Sequence, residues 1–406
     1  MHAAAELSLP NLPIQDPQFA RDPIPYLDAA RRQHPWLARC DFGYLVHEYQ
    51  AIKDLNSMDS QLRPSMDSIT QYMGATGTPW GQFMDELMLA KAAPEHTRLR
   101  SSVALSFSPR NANRFRPLMQ AQISSLLDEW APRGAFDFAE FASSFPIRVM
   151  FALIGASPDA LPGIRRALET QGLSVSLDRS LLPALQSGFK ALWDFVDEII
   201  VARQRTSGGN PEDVLNTLIA ANTNGTLNDA ELRNLLIFLF AAGYDTSKNM
   251  LTLIAHMLLQ HPDDWARCAV DRAYSDKVVE EVFRYNSVSN IYRTANEDVV
   301  YRDVLFPKDS VLILTLTLAS RDPRAVPDAN EFQPERNHVN RHLAFGRGMH
   351  MCLGQHVARA QIQEGIHLIT QRLQHPRLAG EVTWRPFPGV WGIRSLPIRF
   401  EPATVQ

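Results

Sequence analysis

Three cysteines in 406 residues, Cys40, Cys268 and Cys352, are too few to staple a chain of this length, which excludes a disulfide-built secreted fold. They suit a reducing compartment, and a cytoplasmic protein is expected. An excess of positive charge is also missing: 40 Lys and Arg stand against 44 Asp and Glu, a formal net charge of -4. No broad positive field is present to hold a nucleic acid backbone. Long apolar runs are absent as well. The longest, Leu235 to Gly243, has about half the length that crosses a bilayer and runs into Asp245 and Lys248, so no membrane association is expected. Met1 to Pro10 lacks a basic stretch leading into an apolar one, which argues against a signal peptide or anchor. With no internal repeat and no low-complexity linker, a single domain over residues 1–406 is expected.

What is present is a globular composition, 45% hydrophobic and 21% charged, far from that of a disordered chain. Apolar residues recur at three and four spacing from Thr97 to Trp130, Ala139 to Leu153, Leu181 to Arg203, Asp229 to Gln260, Ser275 to Tyr285 and Val357 to Arg372. These segments predict helices. A short helix is expected at Ile24 to Gln33, and strands near Leu37 to His47, Asp298 to Leu305, Val311 to Leu318 and Trp391 to Phe400. The fold class is therefore mainly α with a small β-rich part. Two stretches, Arg63 to Ala93 and Glu169 to Pro183, read as long loops, which inside a compact body usually serve as lids or ligand walls. The first carries Tyr72, Met73, Trp80 and Phe83, more apolar groups than a surface loop would leave in water.

The most informative segment runs from His342 through Phe345, Gly346, Gly348 and His350 to Cys352 and Gly354. Glycines on both sides permit tight turns and close approach of backbone to a flat ligand. The helix expected from Val357 would aim its N–H groups and positive dipole end at the Cys352 sulfur, which favours the thiolate. Cys40 and Cys268 have no such setting and read as small buried hydrophobes.

The pattern F-G-x-G-x-H-x-C-x-G resembles, in every fixed position, the haem-binding signature of the cytochrome P450 superfamily, here its bacterial members. The resemblance implies the cytochrome P450 fold, with haem b bound to iron-ligating Cys352 and packed near Phe345 and Gly354. Further motifs follow in the family's order. Glu281-Val-Phe-Arg284 is similar to E-x-x-R, and Phe332-Gln-Pro-Glu-Arg336 to F-x-P-x-R, which implies that Glu281, Arg284 and Arg336 tie the cysteine loop to the helical core. Ala242-Gly243-Tyr-Asp245-Thr246 resembles A-G-x-[DE]-T. A Thr246 hydroxyl bonded to the Ala242 carbonyl, beside Gly243, would widen the helix into an oxygen notch. Asp245 and Thr246 are the expected catalytic proton relay, with Lys248 pointing away. His96 and Arg100 resemble H-x-x-x-R; with Arg293 and His350 they are expected to hold the propionates.

The implied activity is a haem-thiolate monooxygenase that inserts one atom of O2 into a hydrophobic small molecule. Electrons originate in NAD(P)H only indirectly, through a separate ferredoxin and ferredoxin reductase. A local positive patch of Arg98, Arg114, Arg116 and Arg347 is expected to receive the ferredoxin. A monomer is expected. The pocket is expected from Tyr72, Met73, Trp80, Phe83, Phe238, Ala242, Asn290, Ile291, Val390 and Trp391. Two other readings stay open, a catalytically silent ligand-binding member of the fold and a peroxide-driven enzyme. Retention of Gly243, Asp245 and Thr246 argues against both.

Overall fold

The computed structural model describes residues 2–206, 213–337 and 342–403. Its axis is the 31-residue helix Asp229–Leu259. Asn228 starts it with a reciprocal capping box: its Oδ1 accepts from Glu231 N–H at 2.9 Å, and Glu231 Oε2 accepts from Asn228 N–H at 2.9 Å. Most of its residues are buried on all sides, as expected of a helix running through a core rather than over one. Helix Phe138–Ile154 packs against it so closely that a Cβ on Gly243 would overlap the Met150 thioether. Helix Gln355–Arg372 approaches from the other side, with Gly365 against Phe145.

The main sheet has five strands in the order Leu37–Cys40, Gly43–Val46, Val311–Leu314, Ile291–Ala295 and Leu62–Pro64. Tyr44 pairs in parallel with Leu312, Leu312 antiparallel with Arg293, and Arg293 antiparallel with Pro64. This register carries Arg293 into the interior, where it is 1% exposed.

Most expected helices are present, and Ile24–Gln33 matches residue for residue. The predicted helix from Thr97 to Trp130 is instead three, Glu95–Ser101, Pro109–Arg114 and Arg116–Trp130. Ser108 accepts from Asn111 N–H and Pro109 fixes a new start, which outweighs the continuous apolar spacing. The first supposed loop is largely helical, with Met66–Tyr72 and Pro79–Glu86 in it; the second keeps a loop at 172–178 between Leu161–Gln171 and Leu182–Thr206. Helices of seven or eight residues are shorter than the window in which periodicity speaks. Strand Ile291–Ala295 is not signalled in the sequence, because it is buried on both faces, shows no alternation, and carries the polar Arg293 and Thr294. The strand from Val311 stops at Leu314, and Leu316–Ala319 turns helical.

Three helices are fastened by one carboxylate. Glu364, 2% exposed, accepts from Arg116 Nη1 at 2.6 Å, Gln120 Nε2 at 2.8 Å, and Arg272 Nη1 and Nη2 at 2.8 and 2.7 Å. Burial alone would raise its pKa, but the bonds from Arg272, Gln120 and Arg116 more than reverse this and hold the carboxyl at about 2. A depressed carboxylate adds stability above its unfolded pKa and loses it as pH falls through the folded one. Glu364→Gln is therefore expected to lose about 3 kcal/mol at neutral pH. In denaturant unfolding at stepped pH, the gap to the unsubstituted protein should close between 4.5 and about 2; a pH-independent gap would contradict the assignment.

Candidate active site

Cys352 lies in a loop closed on itself. Its N–H donates to Phe345 O at 2.9 Å, Met351 N–H to Gly348 O at 3.2 Å, and Gly346 N–H to Leu343 O at 2.9 Å. Gly346 and Gly348 adopt φ of +66° and +72°, the left-handed region where a side chain would be strained. Gly354, the cap of helix Gln355–Arg372, turns its N–H toward the sulfur. Burial pushes the Cys352 thiol up, while the Gly354 N–H, Arg100 and Arg359 pull it down; the net shift is upward. The helix start and the two arginines thus favour the thiolate, against the cost of burial.

Three residues that the motifs did not single out hold this loop. Glu280 Oε1 accepts from Arg359 Nε at 2.7 Å, and Glu280 Oε2 lies 3.1 Å from His342 Nε2. Ala344 N–H donates to His342 Nδ1 at 3.3 Å, so the His342 proton is on Nε2 and points at the carboxylate. Arg359 in turn covers the Phe345 ring at 4.3 Å. Deeper, Glu281 and Arg284 form a fully buried bidentate pair at 2.8 Å. Arg336 joins Glu281 at 3.5 Å. Arg284 donates to Ser320 O, Ala329 O and Glu331 O. Arg336 donates to Pro327 O, Asp328 O and Glu331 O. Among the described residues the triad thus clamps the 327–333 segment, which leads into the cysteine loop.

Cys352 opens into a cavity of about 390 Å³. Its opposite wall carries Ala242, Gly243 and Thr246 of the long helix. Thr246 Oγ1 donates to Ala242 O at 2.7 Å, as the spacing predicted, yet the helix stays α-helical through this point. Asp245 is not in the cavity. Successive helical residues are turned by about 100°, so with Thr246 facing in, Asp245 faces back, 1% exposed against Gly172. Its Oδ1 accepts from Arg385 Nη1 at 2.6 Å and its Oδ2 has no hydrogen-bond partner among the described residues. Lys248 also points away, toward Glu169 Oε1 at 3.4 Å.

Phe83, Phe238, Ala242, Asn290, Ile291 and Val390 line the cavity as expected; Tyr72, Met73, Trp80 and Trp391 do not. Tyr72 lies between Phe42 and Arg179, and Met73 is in the core. Trp80 donates to Gln171 Oε1 at 3.0 Å, and Trp391 to Ala20 O at 2.9 Å. Both indoles need a buried acceptor; Gln171 itself lines the cavity and holds Trp80 behind it, while Ala20 lies outside the lining. The wall that sequence reading missed is rich in thioethers: Met88, Met150 and Met250 join Met66 and Met84. Methionine at helical spacing reads as core, so Met150 and Met250 gave no signal.

His96, Arg100, Arg293 and His350 all line the same cavity. The two imidazoles are 4.4 Å apart. His96 Nδ1, both His350 ring nitrogens and Arg293 Nε are buried without a hydrogen-bond partner among the described residues. Burial, with the Arg293 charge, pushes His350 down to about 3; burial lowers His96 and takes Arg293 down to about 10. Asp59 Oδ1, 3.8 Å from Arg293 Nη2, is one anion beside this cluster, and the two carboxylates of a haem would engage the donors that remain. A flat cavity between a cysteine and a threonine-bearing helix, with such a cluster lining it, fits the group. The expected ferredoxin patch is weaker than its charges implied. Arg98 is bidentate to Glu231 at 2.5 and 2.9 Å, and Arg116 is spent on Glu364, which leaves Arg347 exposed.

A mainly helical body enclosing a buried cysteine opposite an alcohol-bearing helix defines a haem-thiolate protein. The cytochrome P450 family model matches residues 174–397. Luteothin monooxygenase of Streptomyces thioluteus is 31% identical over 397 residues, covering 97% of this chain and 96% of that protein. Nocardicin C N-oxygenase of Nocardia uniformis is 29% identical, covering 92% and 94%. The crystal structure of CalO2 superposes with a TM-score of 0.88 at 23% identity, covering 98% and 100%. The chain belongs to the cytochrome P450 family. No helix among the described residues is long and apolar enough to cross a membrane.

Proposed function

We propose that this protein is a cytoplasmic monooxygenase that inserts one atom of O2 into a neutral hydrophobic small molecule. Separate ferredoxin and ferredoxin reductase proteins bring the electrons from NAD(P)H. The observation that carries this reading is the sharing of one apolar cavity by Cys352 and the Thr246 hydroxyl. Bound haem supplies the iron that activates dioxygen. Cys352 would hold it from one side, and His96, Arg100, Arg293 and His350 would anchor its carboxylates. Thr246 presents its hydroxyl oxygen at the cavity face, where it can accept a hydrogen bond while its own hydrogen is held by Ala242 O; turning that hydrogen away from Ala242 O lets it donate inward. Asp245 enters such a relay only by leaving Arg385, so that ion pair governs its supply of protons.

The test is turnover under 18O2 by the holoprotein with NADPH and a surrogate ferredoxin and reductase, against a panel of neutral aromatic and terpenoid compounds. A product with one labelled oxygen is expected. Thr246→Ala should cut product per NADPH by about tenfold, with hydrogen peroxide rising in its place, since a positioned proton donor contributes about that or more. Compounds that change the haem spin state yet yield no labelled product would overturn the proposal. Undiminished coupling in Thr246→Ala would remove this residue from it.

A further inference from the structure

Asp59 lies in the turn that follows helix Tyr49–Leu55, and the turn is tied on both sides. Gln61 N–H and Leu62 N–H donate to Met58 O at 3.0 and 2.8 Å, and Asn296 donates from its N–H to Gln61 O at 2.9 Å and from Nδ2 to Ser60 O at 3.1 Å. Asp59 meets the cysteine loop. Met349 N–H donates to its Oδ2 at 3.5 Å, and a Cβ on Gly348 would come within 3.2 Å of the same oxygen. Oδ1 faces Arg293 Nη2 at 3.8 Å, the one ion pair of that buried cation among the described residues. Asn56, 1% exposed, fixes the arrangement: an arginine only donates, so Asn56 Oδ1 accepts from Arg293 Nη2 at 3.2 Å, and Asn56 Nδ2 is turned to Arg347 O at 3.4 Å. No Asp or Glu among the described residues lines the cavity, yet the charge of Asp59 reaches its donors. Burial takes Arg293 down to about 10 and Asp59 opposes it; burial and Arg100 lower His96, and Asp59 opposes that too. The arginine expected to hold a haem carboxylate thus already faces a carboxylate of the protein.

We propose that Asp59 is a positioning residue that acts through Arg293: it holds the edge of bound haem more negative than the donors alone would, and so keeps the reduction potential of the iron low. This rests on the reading of His96, Arg100, Arg293 and His350 as the haem anchors. Reduction adds one electron. A fixed negative charge opposes that addition, and the Asp59 side chain, 25% exposed, is only partly screened by solvent. The same charge repels the haem carboxylates that share Arg293. Asp59 therefore favours the ferric state while slightly loosening the hold on haem, whereas a residue with a merely structural role would tighten the hold and leave the potential alone.

The test compares the holoprotein with Asp59→Asn, Asp59→Ser and Asp59→Glu, by spectroelectrochemical midpoint and by the rate of haem transfer to excess apomyoglobin. Asp59→Asn keeps an acceptor for Met349 N–H and deletes the charge. Both neutral variants are expected to shift the ferric–ferrous equilibrium toward ferrous by about threefold, ~28 mV for a one-electron couple, and to release haem no faster than the unsubstituted protein. Asp59→Glu keeps the charge and should keep the lower midpoint. A midpoint unmoved in the neutral variants, a midpoint raised equally in Asp59→Glu, or faster haem loss from both neutral variants overturns the proposal. The ferrous carbon monoxide spectrum of the unsubstituted protein separates this failure from failure of the haem-thiolate reading. A red-shifted band with an unmoved midpoint sinks only the assignment of Asp59; no such band sinks both.

Discussion

Cys352→Ser is expected to abolish the red-shifted Soret band of the ferrous carbon monoxide adduct and to lower turnover by more than about 100-fold, at least about 2.7 kcal/mol on the barrier. The band shift belongs to a sulfur anion bound to iron, and a serine oxygen does not impose it. The substitution is nearly isosteric, and the loop around it is closed by backbone bonds from Cys352 N–H, Met351 N–H and Gly346 N–H that a hydroxyl leaves in place. The fold should therefore persist, with a far-ultraviolet spectrum unchanged. Cys40 and Cys268 are controls: both are buried, their thiols raised by burial to about 11 and about 12, and neither lines the cavity. Their serine variants should keep the band. Retention of the band in Cys352→Ser would overturn the assignment of the iron ligand.

Removing Glu281 should be nearly as severe, but through folding. Its partner Arg284 has a fully buried side chain, so Glu281→Ala leaves an uncompensated charge inside the protein. Breaking such a pair costs about 3–5 kcal/mol, against a total stability of about 5–15 kcal/mol for a typical domain. Glu281 also accepts from Gln333 N–H at 2.9 Å, so the segment ahead of the cysteine loop loses an anchor. The expected result is a large fall in thermal midpoint together with a low haem-to-protein ratio. Glu281→Gln with Arg284→Met removes both charges and should recover much of the midpoint, because an uncharged pair of similar volume avoids the cost of burying charge. It should not recover haem content, since the carbonyls of Ser320, Ala329 and Glu331 lose their donor. A Glu281→Ala protein with normal midpoint and full haem would show that the pair is dispensable.

The parts of the site legible in the sequence are those whose residue type is imposed by backbone or charge. Gly346 and Gly348 occupy left-handed conformations, Cys352 must be a sulfur, and Glu281, Arg284 and Arg336 form one buried charge cluster. Such positions tolerate few residues, which is why the resemblance to the family's motifs picks them out. The pocket was legible only by region. In the short helix Pro79–Glu86, Phe83 turns inward and Trp80 outward because Gln171, far off in the chain, supplies the indole acceptor. No local pattern encodes that choice. Asp245, expected in the relay, lies off the cavity because helix neighbours face different ways, and the sequence gives no sign of its partner Arg385, 140 residues away.

The thioether-lined wall has a consequence for where oxygen is placed. Unbranched methionine chains change rotamer easily, so this wall conforms to a guest instead of sieving guests by outline. Orientation then falls to whatever fixed polar points remain. Molecules that engage them should be hydroxylated at one carbon, and molecules of the same bulk that do not should tumble and give several regioisomers.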